Sequence, residues 1–346
     1  MKLRQHPLLW PLVTLALLVA VNAVFNPSFL HLEWRGGHLY GSVVDVLKAA
    51  APLMLLSLGM TLVIATRGID ISVGAVVAIS AAVAAWMVGG SLVVQNGVAV
   101  HVSRFPMGVA IAAALFVALA CGAWNGLLVS VVGMQPIIAT LILMVAGRGI
   151  AQLITGGQII TVYYPPYFYI GNGHLLGLPF PLFIAMAVFL ALRWLMRRTA
   201  LGLFIQSVGI NPSAAHVAGV PARRILFWVY AFCGLCAGVA GLVVSSNVKS
   251  ADGNNAGMLM ELDAILAVTL GGTSLTGGRF NLAGSLIGAL IIQTLTYAIY
   301  SLGVPPEVNL VVKAVVVFAV MLLQSADFRR TMMSIARRPA PGGAAS

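Results

Sequence analysis

Ten long apolar runs decide what this chain can become. They lie near residues 8–26, 44–65, 72–90, 107–132, 137–154, 181–196, 225–246, 262–277, 281–302 and 308–325. A helix needs about 20 apolar residues to cross roughly 30 Å of hydrocarbon. The eighth run is short and poorly divided from the ninth. Hydrophobic residues make up 60% of the 346 and charged residues 8%, with a mean hydropathy of +1.02. Soluble domains carry about 25% charged residues, so a water-soluble fold of this composition would have almost nothing for its surface. The runs are too long, and too often cut by Gly and Pro, for the alternating strands of about ten residues in a β-barrel. The expected fold is all-α: a polytopic transmembrane bundle with Gly-interrupted segments, forming one domain over residues 1–346.

The formal charge of +11 is unevenly placed. With the N-terminus in the cytoplasm, Lys2, Arg4, Arg67, Arg193, Arg197, Arg198, Arg223, Arg224, Arg279, Arg329, Arg330, Arg337 and Arg338 fall inside. Arg35, Arg104 and Lys249 fall outside. This is the positive-inside asymmetry. It explains the basic balance through the lipid bilayer, without nucleic acid. Both termini are then cytoplasmic, the second as a basic, flexible tail at 329–346. The aromatic cluster at 163–169 falls on the outer side, where amphipathic rings favour the headgroup level. The first 25 residues have the basic start and apolar run of a signal peptide. Because further spans follow and no soluble domain does, they read as a retained first helix.

Two stretches break the helical pattern: "ATRGIDISVGA" at 65–75 and "LGGTSLTGGRFNLAG" at 270–284. Irregular backbone at membrane depth persists only where protein buries it or where it lines a watery cavity. Such interruptions can mark a transport pathway or simple tight turns. Both lie on the same side of this topology and do not by themselves establish an inverted repeat. The second lacks the GK[ST] ending of a phosphate loop, so this chain holds no nucleotide site. Any driving ATPase is another chain.

Cys233 and Cys236 form a CxxC without a companion His or Cys pair, and read as small residues packed on a helix. The six histidines show no metal-ligand spacing, and no nucleophile–base pair appears. Neither a metal site nor a catalytic site is expected. Gly234 with Gly238, and Gly284 with Gly288, give flat surfaces for close helix packing within the chain.

Charges in or beside the spans are few: Asp45, Lys48, Asp70, Arg148, Asp263 and Lys313. Each is costly in lipid and so a functional candidate. Asp45 and Lys48 lie one turn apart and are expected to pair. Asn125, Arg148, Gln152 and Asp263 are the candidates for a solute pathway. Their sparse carboxylates suit a polar uncharged solute better than a proton relay.

"VGINPSAAHVAGVPARR" at 208–224 is too polar to span a bilayer. Asn211 suits an N-cap, Pro212 the first helical position and Gly219 the C-terminal stop. The resulting short helix presents Ala214, Ala215 and Ala218. It either docks into a partner's groove or lies as a capped loop on its own bundle.

The stretches "GMTLVIATRGIDISVGAVVAISAAV" (59–83), "WNGLLVSVVGMQPIIATLILMVAGRGIAQLITGGQ" (124–158), "TALGLFIQSVGINPSAAHVAGV" (199–220) and "LDAILAVTLGGTSLTGGRFNLAGSLIGALIIQ" (262–293) resemble, in this order, the permease subunits of ribose-type bacterial ABC sugar importers. "ADGNNAGMLMELDAILAV", "GVPPEVNLVVKAVVV" and the "GGRFN" variant are most similar to the galactofuranose-importer permeases. The resemblance implies a pore subunit of the bacterial inner membrane without a cofactor of its own. Its partners would be a second permease, alike or identical, ATPase subunits that carry ATP and magnesium, and a periplasmic sugar-binding protein. The 209–220 segment would be the coupling helix that contacts the ATPase. Gly68, Asp70, Ser72 and Gly74, and Gly271, Gly272, Gly277 and Gly278, mark the two loops as characteristic of the family, without an assigned role. The competing reading is an ion-coupled secondary transporter of a small polar solute.

Overall fold

The computed structural model describes residues 8–89, 91–95 and 98–324. The basic tail expected at 329–346 lies outside them. The described helices are α1 Leu9–Phe25, α2 Ser42–Ala65, α3 Val73–Val88, α4 Met107–Leu127, α5 Pro136–Thr155, α6 Pro165–Asn172, α7 Phe180–Arg198, α8 Leu201–Ile210, α9 Pro212–Val217, α10 Ala222–Val248, α11 Met260–Leu270, α12 Leu282–Ser301 and α13 Pro306–Gln324. Helix α4 runs on into a π-helical turn, Leu128–Val132, that ends at Gly133. A short 3-10 helix, Pro27–Leu30, and four two-stranded antiparallel ribbons complete the described elements, one ribbon pairing Glu33–Arg35 with His38–Tyr40. Among the described residues six helices, counting α4 with its π-helical extension, are long and apolar enough to cross a membrane: α2, α4, α5, α7, α10 and α12. The result is a polytopic membrane helical bundle.

Helices α2 and α10 form the centre. Helix α2 is buried almost from Ala50 to Ala65, even at Pro52 within it. Packing by neighbouring helices is what lets a membrane helix tolerate a proline in its interior. Small residues set the spacing. Gly234 of α10 lies against the backbone of Gly122 in α4, and Gly238 against Ala118. Gly59 of α2 meets Cys233 and Cys236. Gly288 of α12 meets the Ala267 carbonyl of α11. In lipid, where no hydrophobic drive brings helices together, such close backbone approach supplies the dispersion energy of association. The glycine pairs and the CxxC thus pack within the chain, and all three cysteines are free.

Two expectations change. The eighth run forms only the 11 residues of α11, about 16 Å of helix and half a hydrocarbon core. Its C-terminus is closed by Gly272, in the left-handed region at φ +87°, with Thr273 N–H donating back to the Val268 carbonyl at 3.2 Å. Lys48 does not pair with Asp45. Its Nζ donates to Asn172 Oδ1 at 2.7 Å, because Asn172, held at the end of α6 by its own bonds to the Ser246 and Asn247 carbonyls, is a fixed acceptor.

Candidate functional site

The two short central helices begin beside each other. Helix α3 follows an irregular segment, 66–72, that leaves the C-terminus of α2. Helix α11 follows a turn-rich segment, 252–259, reached from the C-terminus of α10. Gly74, in the first turn of α3, touches the Gly257 carbonyl and the Glu261 carboxylate. Any Cβ at 74 would overlap both. Glu261 is 4% exposed, and its Oε2 has no hydrogen-bond partner among the described residues. The partial positive charge at a helix N-terminus favours an anion there, and Glu261 lies at two such termini, α3's and its own.

The 66–72 segment is pinned by side chains from two other helices. Asp70, 1% exposed, accepts through Oδ1 from Ser72 N–H at 3.0 Å and Ser72 Oγ at 2.6 Å. Asn125 Nδ2 of α4 donates to Ser72 Oγ at 2.8 Å and reaches Asp70 Oδ1 at 3.4 Å. Thr140 Oγ1 of α5 accepts from Ile71 N–H and faces the Ile69 carbonyl, each at 3.3 Å. Buried backbone outside a helix must find such partners. Gly68 leaves room for the Tyr230 hydroxyl of α10.

The 252–259 segment is held from α5. Arg148 Nη1 donates to the carbonyls of Ala256 and, at 3.3 Å, Asn254. Gln152 Nε2 donates to Asn254 Oδ1 at 2.6 Å. Asp252 organises the turn by accepting from Asn254 N–H at 2.8 Å and Asn255 Nδ2 at 2.7 Å. A cationic donor that bridges two loop carbonyls makes strong charge-assisted bonds.

The four pathway candidates therefore separate. Arg148 and Gln152 act together on one loop. Asn125 is wholly buried inside the bundle and lines no open surface. Asp263 pairs with Lys313 of α13 at 2.7 Å. It lies two residues from Glu261, and positions two apart do not share a helix face. Glu261, Thr140 and the 252–259 break were not singled out in the sequence. A carboxylate at the head of an apolar run was the available signal for Glu261.

The short polar helix forms as its caps require. Asn211 Oδ1 accepts from Ala214 N–H at 3.0 Å. Gly219, at φ +81°, closes α9 with Val220 N–H donating to the Ala215 carbonyl at 2.9 Å. Ala214 and Ala218 are exposed, but Ala215 is buried against the chain's own core. The three alanines thus do not form one free face. Val217 is 88% exposed, a large apolar side chain offered to solvent on a short helix. At the same end, the Gly271, Gly272, Gly277 and Gly278 loop folds against α2, with Gly278 N–H donating to the Ala65 carbonyl at 2.8 Å.

Known proteins share this chain's sequence over nearly its full length. Residues 42–321 match the family described as "Branched-chain amino acid transport system / permease component". The galactofuranose transporter permease protein YtfT of Escherichia coli is 49% identical over 92% of this chain and 91% of its own. The fructose import permease protein FruF of Bifidobacterium longum is 39% identical over 98% and 93%. The ribose import permease protein RbsC of Escherichia coli is 36% identical over 91% and 92%. No solved structure matches. In that family the ATPase is a separate subunit, and the permease is a multi-pass protein of the bacterial inner membrane. The chain belongs to the permease components of ribose-type ABC sugar importers.

Proposed function

We propose that this permease moves galactofuranose, or a closely related monosaccharide, inward across the membrane as part of a complex with ATPase subunits, a second permease and a periplasmic binding protein. The 49% identity to a galactofuranose permease over nearly the whole chain carries the choice of sugar. In this reading the whole chain is one permease domain, and ten segments enter the membrane, with α11 as a half-helix and α3 shorter than a full span. Both termini are cytoplasmic, at the end that bears Arg197, Arg198, Arg223 and Arg224. The sugar passes along α5, where Arg148 and Gln152 lie beside the exposed apolar stripe of Ile138, Leu141, Ile142 and Val145. A second permease copy, identical or related, faces that stripe. Helix α9 is the coupling helix. Support comes from its two caps and from Ala214, Val217 and Ala218 being exposed at that end.

The test is uptake of labelled sugars into proteoliposomes holding the complete complex. Galactofuranose uptake should require internal ATP and persist with a protonophore. Uptake of ribose or fructose alone would overturn the sugar. Uptake that collapses with the protonophore would favour the ion-coupled reading.

A further inference from the structure

Arg67 stands at the junction of the three segments that meet beside α9. It follows α2 at φ +63°. Arg67 N–H donates to the Ile64 carbonyl and Gly68 N–H to the Val63 carbonyl, each at 2.9 Å. This is a Schellman stop, whose left-handed position glycine fills most easily. An arginine there accepts backbone strain, and its side chain makes two hydrogen bonds. Nε donates to the Thr276 carbonyl at 3.0 Å, and Nη2 donates to the Ile210 carbonyl. Ile210 is the last residue of α8, where a cation is favoured by the helix dipole, and the next residue is Asn211, the cap of α9. Close approach reinforces the junction. A Cβ at Gly209 would overlap the Ala65 carbonyl, and one at Gly277 would overlap the Arg67 side chain itself. Three residues further on, Asp70 accepts from Ser72 Oγ, which in turn accepts from Asn125 Nδ2 of α4. The segment then enters α3, whose first turn meets Gly257 and Glu261.

We infer that Arg67 is a positioning residue that passes displacement of α9 into the 66–72 segment and so to the meeting point of α3 and α11. The inference rests on the reading of α9 as the ATPase contact. A guanidinium can hold two carbonyls at fixed separation, because its donors form a rigid fork. The α8–α9 joint and the head of 66–72 then move as one piece.

The experiment compares wild type with Arg67→Gly, Arg67→Met and Arg67→Lys in the complete complex. Glycine relieves the left-handed strain and keeps the helix stop, while it removes the fork. A purely structural arginine would therefore tolerate glycine with normal transport. The inference expects unchanged ATPase co-purification and basal hydrolysis, with sugar moved per ATP falling at least about tenfold, a barrier change of about 1.4 kcal/mol. Lysine, a single-point donor, should restore transport in part. Arg67→Met carries the same test should the glycine variant insert poorly. Wild-type sugar per ATP in Arg67→Gly or Arg67→Met would overturn the inference. So would loss of the ATPase subunit, which would make Arg67 an assembly residue. Val217→Asp tests the α9 reading separately. If the ATPase stays bound and active in that variant, α9 is not the contact, whatever Arg67 does.

Discussion

The carboxylate of Glu261 occupies the space that a side chain at Gly74 would need. One residue lies in the first turn of α11 and the other in the first turn of α3, so a single contact sets how the two short helices meet. Gly74→Ala should overpack this point. Part of the clash falls on the flexible carboxylate and part on the Gly257 backbone, and overpacking costs about 1–3 kcal/mol. The variant should melt lower in detergent and transport poorly. An unchanged melting temperature with normal uptake would show that the contact relaxes freely.

Asn125→Ala should act on stability. It leaves Ser72 Oγ and Asp70 Oδ1 each short of a donor in a fully buried site, a loss of about 1–3 kcal/mol. Thermal unfolding of the purified permease should shift down, while the sugar dependence of the residual uptake stays as in wild type. A changed sugar dependence at unchanged stability would place Asn125 on the pathway instead.

Arg148→Ala should do the opposite. It frees the carbonyls of Asn254 and Ala256 on a loop beside the proposed pathway. Uptake should fall severalfold with the complex intact, and Gln152→Ala should fall less, since one neutral bond is weaker than two charged ones. Normal uptake in Arg148→Ala would remove the loop from transport.

His174 gives a pH dependence. Desolvation by burial, then the charges of His38 and Lys48, lower its pKa from 6.5. Its ring lies 4.4 Å from that of His38 and near Tyr40. A depressed histidine pKa means the unfolded chain binds the proton more readily. Stability is therefore full above pH 6.5 and is lost as pH falls through the lowered value. Melting temperatures measured from about pH 7.5 to 5 should drop more steeply for wild type than for His174→Gln. Parallel curves would exclude this group.

Ala218→Arg and Ala215→Arg should differ. Ala218 is exposed, so an arginine there should leave the fold intact and weaken ATPase co-purification. Ala215 is 5% exposed within the chain's own core. An arginine there should lower stability first, through overpacking and a desolvated charge. Selective loss of the ATPase from a fully stable Ala215→Arg would reverse the assignment.

The apolar runs determined by themselves that this chain is a helical membrane protein, because lipid accepts backbone only when its hydrogen bonds close within a segment. The caps of α9 were equally legible: Asn211 and Gly219 act on backbone groups three or four residues away, and local chemistry suffices. Tertiary structure alone decided the rest. Whether Ala215 faces the core or the solvent, and whether Asn125 lines a path or ties down Asp70, depends on which helices arrive from distant sequence. Glu261 escaped notice because its setting is made by Gly74 and Gly257, and neither the opposed helix starts nor the left-handed backbone at Arg67 leaves a mark in composition or spacing. Periodicity reports which face of a helix is apolar. It does not report what that face will meet.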